Sequence, residues 1–271
     1  ACAHARSPLG FAGLRNTGTL CYLNSVVQQL YHIAPLRQAV LAVDVGALGC
    51  EPKLRRFARR FQRLLYEMAH AVQREASPQP FLDAFAGVTE HFSKAQQHDA
   101  DEFLNILWQR LEQALKDTPQ WPALNALTEG RVQHEIRSKD ASKPLVRHAY
   151  EDFHVLSLDI RNRKTLQDAL AFYIQEDLLT GDNAYHCEEY ACKVDASKRA
   201  MLERLPPVLA IHLKRFAYNP ASDRMEKLHD RLEFPTALDM QPYTVTSSDD
   251  DDGGDDADGG GSSKKSYEYR L

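Results

Sequence analysis

Long apolar runs are missing from this 271-residue sequence. No stretch approaches the roughly 20 residues that a membrane-spanning helix needs, so no membrane partner is expected. A secretory signal is missing too: the start, Ala1 to Arg6, has neither a basic lead nor an apolar core, and no initiating Met. It reads as a segment excised from a longer protein. Cysteine is scarce and irregular, with five residues at 2, 21, 50, 187 and 192. An odd, unpatterned set argues against a disulfide framework and for free thiols in a reducing compartment, the cytoplasm or the nucleus. Positive charge is not in excess. The net charge is −5, and the seven Asp between Asp249 and Asp258 account for −7, leaving −5 + 7 = +2 for the remainder. A nearly neutral body excludes the global electrostatic signature of a nucleic-acid binder. No internal repeat is present.

The composition, 43% hydrophobic and 26% charged, is that of a globular protein large enough for one big core or two smaller ones. The texture of the chain changes near Thr128. Before it, helical spacing dominates. Apolar residues at 23, 26, 27, 30 and 31 predict a helix over 21–33. Leu54, Phe57, Phe61, Leu64, Leu65 and Met68 predict a second over 53–70, a break at Ser77 to Pro80 precedes a short one near 81–92, and Leu104, Leu107, Leu111 and Leu115 predict one from about Gln97 to Lys116. The second helix carries Lys53, Arg55, Arg56, Arg59, Arg60 and Arg63 on its other face. That stripe is read as a solvated face in preference to an RNA or anion site, because no aromatic residue is interleaved with it. After Arg131, Val132, His134 and Ile136 alternate with polar residues, as does Asp152 to Ile160, and both read as strands. Thr165 with Asp168 forms a capping-box pattern ahead of a helical window at 166–175. Gly181, Asp182 and Asn183 signal a turn, and Val208 to Leu213 reads as a buried strand. Residues 246–266 are low-complexity Ser, Asp, Gly and Lys, expected to form a disordered surface insertion.

The chemistry concentrates around Cys21, where a polar loop containing Gly18 runs into the first predicted helix. The positive end of a helix favours a thiolate over a thiol. Asn16, five residues upstream, has a side-chain amide to offer to an oxyanion beside the sulfur. A free cysteine is equally often a small buried hydrophobe. On this stretch alone the two readings stand level.

Two further boxes bear on the choice: QHDADEF from Gln97 to Phe103, and PPVLAIHLKRF from Pro206 to Phe216. With the Cys21 box, in this order, they resemble the ubiquitin-specific protease family of deubiquitinating cysteine proteases. The linking stretches EDFHVLSLD from Glu151, TGDNAY from Thr180, KVDASKR from Lys193 and RLEFPTALDM from Arg231 add to the likeness, which is greatest to the large fat-facets-type branch. It extends from about Gly10 to Met240, with a last fragment at Tyr267 to Leu271.

The resemblance implies a papain-like α+β fold with a helical thumb at 11–128, β-rich fingers at 129–205 and an incomplete β palm at 206–271, after a lead-in at 1–10. It implies that Cys21 is the nucleophile attacking the carbonyl after the C-terminal Gly of ubiquitin. Asn16 matches the oxyanion-hole amide, and Asp99, flanked by Gln97 and His98 in the substrate-facing box, matches the acid that pairs with ubiquitin's basic tail. Leu20 departs from the small polar residue usual before the nucleophile. Neither His98, which opens a helix, nor His212, inside a strand run, is expected to be the general base. In the family that histidine follows a strand resembling Tyr267 to Leu271, so this chain is expected to be a fragment, close to inactive alone. No cofactor and no metal are expected. The family's zinc pairs are broken here: residues 129–150 hold no Cys, Tyr190 stands where the partner of Cys187 would be, and Cys192 is shifted by two. Closing a tetrahedral site would need His186 and either His134 or His148 besides the two thiols. The expected partners are ubiquitin and ubiquitinated proteins, with the chain a monomeric domain of a larger protein. The rivals are a ubiquitin-binding pseudoenzyme and an anion-binding scaffold built on helix 53–63.

Overall fold

A computed structural model describes residues 10–70, 73–89, 92, 97–219, 223–245 and 267–270. The acidic run at 246–266 and residues 1–9 of the lead-in lie outside them. The chain divides into two compact units, Ala1–Thr128 and Glu129–Leu271. None of the described helices is long and apolar enough to cross a membrane.

The first unit is helical. It comprises β1 (Gly13–Leu14), α1 (Cys21–His32), α2 (Ala34–Leu41), α3 (Pro52–His70), β2 (Glu75–Ala76), α4 (Gln79–Ala86), α5 (Ala100–Leu115) and α6 (Trp121–Ala126). α1, α3 and α5 bury most of the stripe their spacing predicts, with Val26, Leu54 and Leu104 only half-buried. Phe57, Phe61, Leu65 and Met68 of α3, Phe81 and Phe85 of α4, and Phe103, Leu107 and Leu111 of α5 meet in one core. Aromatic rings tie the three together: Phe61 to Phe81 at 5.4 Å, Phe85 to Phe103 at 5.2 Å and Phe85 to Phe92 at 5.1 Å. Such tilted and edge-on pairs add to the free energy of burial alone. α4 is shorter than its predicted window of 81–92. It starts two residues earlier, with Pro80 in its first turn, and ends before Gly87, where the Thr89 hydroxyl donates to the Phe85 carbonyl at 3.0 Å. Pro122 stands in the first turn of α6, where its missing N–H costs nothing. Gln62 of α3 donates from Nε2 to the carbonyls of Val40, Leu41 and Val43 at 3.0, 3.3 and 2.8 Å, satisfying the free end of α2.

The second unit carries β3 (Gly130–Ser138), β4 (Val146–Phe153), β5 (Val155–Leu158), α7 (Leu166–Tyr173), β6 (Asp177–Leu179), β7 (Tyr185–Cys187), β8 (Cys192–Val194), β9 (Ala196–Arg204), β10 (Ala210–Leu213), β11 (Phe216–Asn219), β12 (Arg224–Lys227), β13 (Ala237–Asp239) and β14 (Glu268–Arg270). Its main sheet has the order β4-β3-β9-β6, antiparallel throughout. β5 and β10 pair in parallel, and β7–β8, β11–β12 and β13–β14 pair antiparallel. Leu156 and Leu158 of β5, Leu166 and Leu170 of α7, Leu202, Leu238 and Met240 form its core.

Two sequence expectations are corrected here. The stretch Asp152 to Ile160 is not one strand: a bend at His154 separates β4, paired with β3, from β5, paired with β10. Nor does β3 keep its apolar alternation inward beyond Val132, which is buried in the core. Gln133 and Glu135 are buried while His134 and Ile136 are half-buried. The inward carboxylate is tolerated because the guanidiniums of Arg137, on β3 itself, and Arg199, on β9, both donate to it.

Candidate functional site

The loop ahead of α1 is pinned at its start. Ala12 N–H donates to the Met68 carbonyl at 2.8 Å, Gly13 N–H to Arg74 at 2.7 Å and Arg15 N–H to Ala76 at 2.9 Å. The Arg15 guanidinium pairs with Glu75 at 2.8 Å. From this anchored edge the chain turns at Asn16, whose Oδ1 accepts from the Gly18 N–H at 3.2 Å. That turn uses the amide oxygen internally and leaves the NH2 as the outward donor. Gly18 sits at φ +139°, a backbone region that is almost exclusively glycine's. Asn24 closes the loop from the helix side, donating from Nδ2 to the Arg15 carbonyl at 3.3 Å.

Leu20 is the cap residue of α1. It is only 3% exposed, and its carbonyl accepts the first helical bond from Asn24 N–H at 2.9 Å. It offers no capping side chain, and no acidic residue stands in the first turn. The first backbone N–H groups of α1 thus keep their capacity for an anion. With Leu20 and Tyr22 both buried, Cys21 between them is turned out and exposed. The burial of its two neighbours, more than any feature of its own, aims the thiol at solvent.

The Gln97 box meets Cys21 from the other side. Gln97 Nε2 donates to Cys21 Sγ at 2.9 Å. Asp99 is the N-cap of α5, accepting from the Asp101 N–H at 2.8 Å through Oδ1. α5 therefore starts three residues later than the predicted Gln97. Asp99 stays exposed, so its second oxygen is available to a cation. His98 lies between them but is packed. Its ring stacks on Phe92 at 4.2 Å and meets Tyr22 edge-on at 5.6 Å, its side chain is 11% exposed, and Nδ1 is 3.9 Å from Glu102. Burial, and then the charges of Cys21 and Glu102, push the Tyr22 hydroxyl above its ordinary pKa, so it stays a neutral wall of the site. His212 belongs to the second unit, in β10, with Nδ1 3.2 Å from the Ser157 hydroxyl.

The structure thus gathers Asn16, Cys21, Gln97, His98 and Asp99 at the starts of α1 and α5. The Gln97–Cys21 contact is the feature that sequence reasoning missed. Gln97 was legible as a member of its box but not as the thiol's hydrogen-bond donor, since the two are 76 residues apart.

Among the described residues, no group of three or more His, Cys, Asp and Glu side chains is arranged to hold a metal. Cys187 and Cys192 face each other across β7–β8, and Lys143 Nζ donates to Cys192 Sγ at 3.3 Å. Leu145 and Val194 pack against Cys187, and the Tyr190 hydroxyl donates to the Pro144 carbonyl at 3.1 Å. His134 and His148 are engaged by Glu151 at 3.1 Å and Glu135 at 3.3 Å.

Comparison with known proteins bears on the family and the fold. The family described as ubiquitin carboxyl-terminal hydrolase matches residues 12–271. Ubiquitin carboxyl-terminal hydrolase 9X of Mus musculus is 35% identical over 89% of this chain and 11% of its own length. The Drosophila melanogaster protein named "Probable ubiquitin carboxyl-terminal hydrolase FAF" is 31% identical over 89% of this chain and 10% of its own. The chain thus spans about a tenth of the length of these relatives. Among solved structures, the SAGA Ubp8/Sgf11/Sus1/Sgf73 DUB module bound to ubiquitin aldehyde has a chain that superposes with a TM-score of 0.74 at 24% identity, covering 91% of this chain and 55% of that one. That superposition shows the α+β, papain-like fold. On the family match across almost its whole length, the chain belongs to the ubiquitin carboxyl-terminal hydrolases, the ubiquitin-specific thiol proteases.

Proposed function

We propose that this chain carries the nucleophile half of a deubiquitinating protease, cleaving the isopeptide or peptide bond after the C-terminal Gly of ubiquitin. The observation that carries the reading is the exposed Cys21 at the first position of α1, with the Gln97 amide on its sulfur at 2.9 Å. In the proposed reaction the Cys21 thiolate attacks the carbonyl carbon. The developing oxyanion is met by the Asn16 NH2 and the backbone N–H groups at the start of α1, and the amine leaves as the acyl-enzyme forms. Each such donor contributes about 3 kcal/mol to transition-state stabilisation in comparable enzymes. Asp99 receives an arginine of the ubiquitin tail. Gln97 holds the sulfur in place before substrate arrives, and its donor is free to turn to the substrate once the sulfur is acylated. The helical unit acts as thumb, and the main sheet of the second unit as fingers. His98 is committed to its aromatic neighbours and is not assigned as the general base.

The test uses ubiquitin carrying a C-terminal electrophile on the natural polypeptide that contains this chain, read by intact mass. An adduct of one ubiquitin that vanishes in Cys21→Ala supports the proposal. Ubiquitin binding without an adduct would leave a ubiquitin-binding pseudoenzyme instead. Neither adduct nor binding would overturn the substrate class.

A further inference from the structure

β4 is an edge strand with an unusual lack of cover. Among the described residues it pairs with β3 on one side only and stands at the end of its sheet. Residues 146–152 are all exposed, so both faces as well as the outer edge meet solvent. Natural edge strands of this length are normally short, bulged, proline-bearing or covered, because their free N–H and C=O groups template further pairing. β4 has no proline, and its register with β3 runs unbroken from Gly130↔Phe153 to Arg137↔Val146.

Its sequence is complementary to itself. When two copies of one strand join antiparallel in a continuous sheet, the two-fold axis is normal to the sheet and keeps every side chain on its own face. Only residues of like parity can then stand opposite each other. Centred on Ala149, the register sets Arg147 opposite Glu151 twice, His148 opposite Tyr150 twice, and the two small Ala149 residues together on the axis. Arg147 and Glu151 have well-exposed side chains, at 47% and 71%. Their present partners, Glu189 at 2.6 Å and His134 at 3.1 Å, are surface contacts that leave each head group accessible. The next like-parity register, centred on Tyr150, puts Arg147 opposite Phe153 and Glu151 opposite Ala149. It relies instead on Asp152, which Arg131 already holds through two hydrogen bonds at 2.6 and 3.2 Å. The first register is the complementary one.

We propose that the outer edge of β4 pairs antiparallel with β4 of a second copy of this chain, centred on Ala149. This gives a two-fold dimer with one eight-stranded sheet, stabilised by about six to eight new backbone hydrogen bonds and two Arg147–Glu151 pairs. It replaces the expectation of a monomeric domain, and it stands independently of the proposed activity.

The test is sedimentation equilibrium on the 271-residue chain, with far-UV circular dichroism confirming that each variant folds. Arg147→Glu and Glu151→Arg each set like charges face to face twice and should weaken dimerisation about tenfold or more. The double exchange Arg147→Glu with Glu151→Arg should restore it to within about threefold, a recovery that mere damage to β4 cannot produce. In a Cys21→Ala background, Ala149→Cys should form an intermolecular disulfide under mild oxidation and Tyr150→Cys should not, which reads the register directly. A chain that stays monomeric up to about 1 mM overturns the proposal. So does a dimer indifferent to both single reversals.

Discussion

Removing the charge of Glu135 should weaken the second unit by an amount that disappears in acid. Glu135 lies at the centre of the main sheet, 6% exposed, directly opposite His148 on β4 and Arg199 on β9. Arg137 donates to it from Nε and Nη2 at 3.2 and 3.1 Å, and Arg199 from Nε at 3.2 Å. Burial pushes its carboxyl up. The hydrogen bonds from Arg137 and Arg199, with their charges, outweigh burial and hold the pKa at about 2, against an ordinary 4.5. The distance from 4.5 to about 2 is worth roughly 3.4 kcal/mol at full value. Both guanidiniums reach solvent, with side chains 45% and 30% exposed, and screening reduces this to about 2 kcal/mol. Because the folded pKa lies below the unfolded one, this stability is complete above about pH 4.5. It is lost as pH falls toward 2. Glu135→Gln keeps the shape and removes the charge. At pH 7 its melting temperature should fall by about 5 °C, as expected for about 2 kcal/mol in a unit of this size. Melts of both proteins by circular dichroism, from pH 7 down to pH 2.5, should show the gap closing below pH 4.5. A gap that stays constant from pH 6 to pH 3 would refute the assignment, because it would mean that Glu135 acts through packing and not through its charge.

Four other substitutions probe separate parts of the molecule. A Cβ at Gly130 would lie 2.3 Å from the Phe153 ring, so Gly130→Ala must displace that ring; a loss of about 1–3 kcal/mol in denaturant titration is expected. Gly18→Ala meets no atom within 4 Å, so its cost comes from φ +139° alone, about 1–3 kcal/mol of backbone strain that the loop escapes by reshaping. Its signature is ubiquitin-electrophile labelling slowed more than tenfold with an almost unchanged melt, and labelling at the wild-type rate would show that the loop shape is dispensable. Thr165→Ala removes one half of the α7 capping box and should cost about 1 kcal/mol in a urea titration, while Thr165→Ser should stay near wild type. Gln62→Leu removes the side-chain donor to the carbonyls of Val40, Leu41 and Val43, of which Val40 keeps a backbone partner in the Val43 N–H, and should cost about 1–3 kcal/mol by the same titration.

The helical unit was legible because its helices are amphipathic, and a stripe at 57, 61, 64, 65 and 68 has one way to be buried. The Thr165–Asp168 box was legible for a similar reason: both halves of a capping box are local, and both bonds are present, at 3.0 and 3.1 Å. The strands were harder. Alternation over 152–160 cannot reveal that the chain bends at His154 and passes from one sheet to another, since the pattern on either side of the bend is the same. It also misjudged β3. A carboxylate at position 135 reads as an outward residue until Arg199, from a strand 64 residues later, is placed beside it. Such long-range pairing leaves no local trace.

The site shows the same division. Cys21, Gly18 and Asn16 are close in sequence, on one loop running into a helix, although the bonds that pin the start of that loop come from Met68, Arg74 and Ala76. The role of Leu20 was not legible. As a letter it looks like a defect, an apolar residue where a small polar one is usual, but in the fold it is the buried peg beside the nucleophile. A polar cap would spend its side chain on the backbone N–H groups at the start of α1. Leu20 leaves them unclaimed and takes its stability from the core. The departure from the family pattern thus keeps free the donors that an oxyanion at Cys21 would need, and it ties the position of the sulfur to the packing of the helical core.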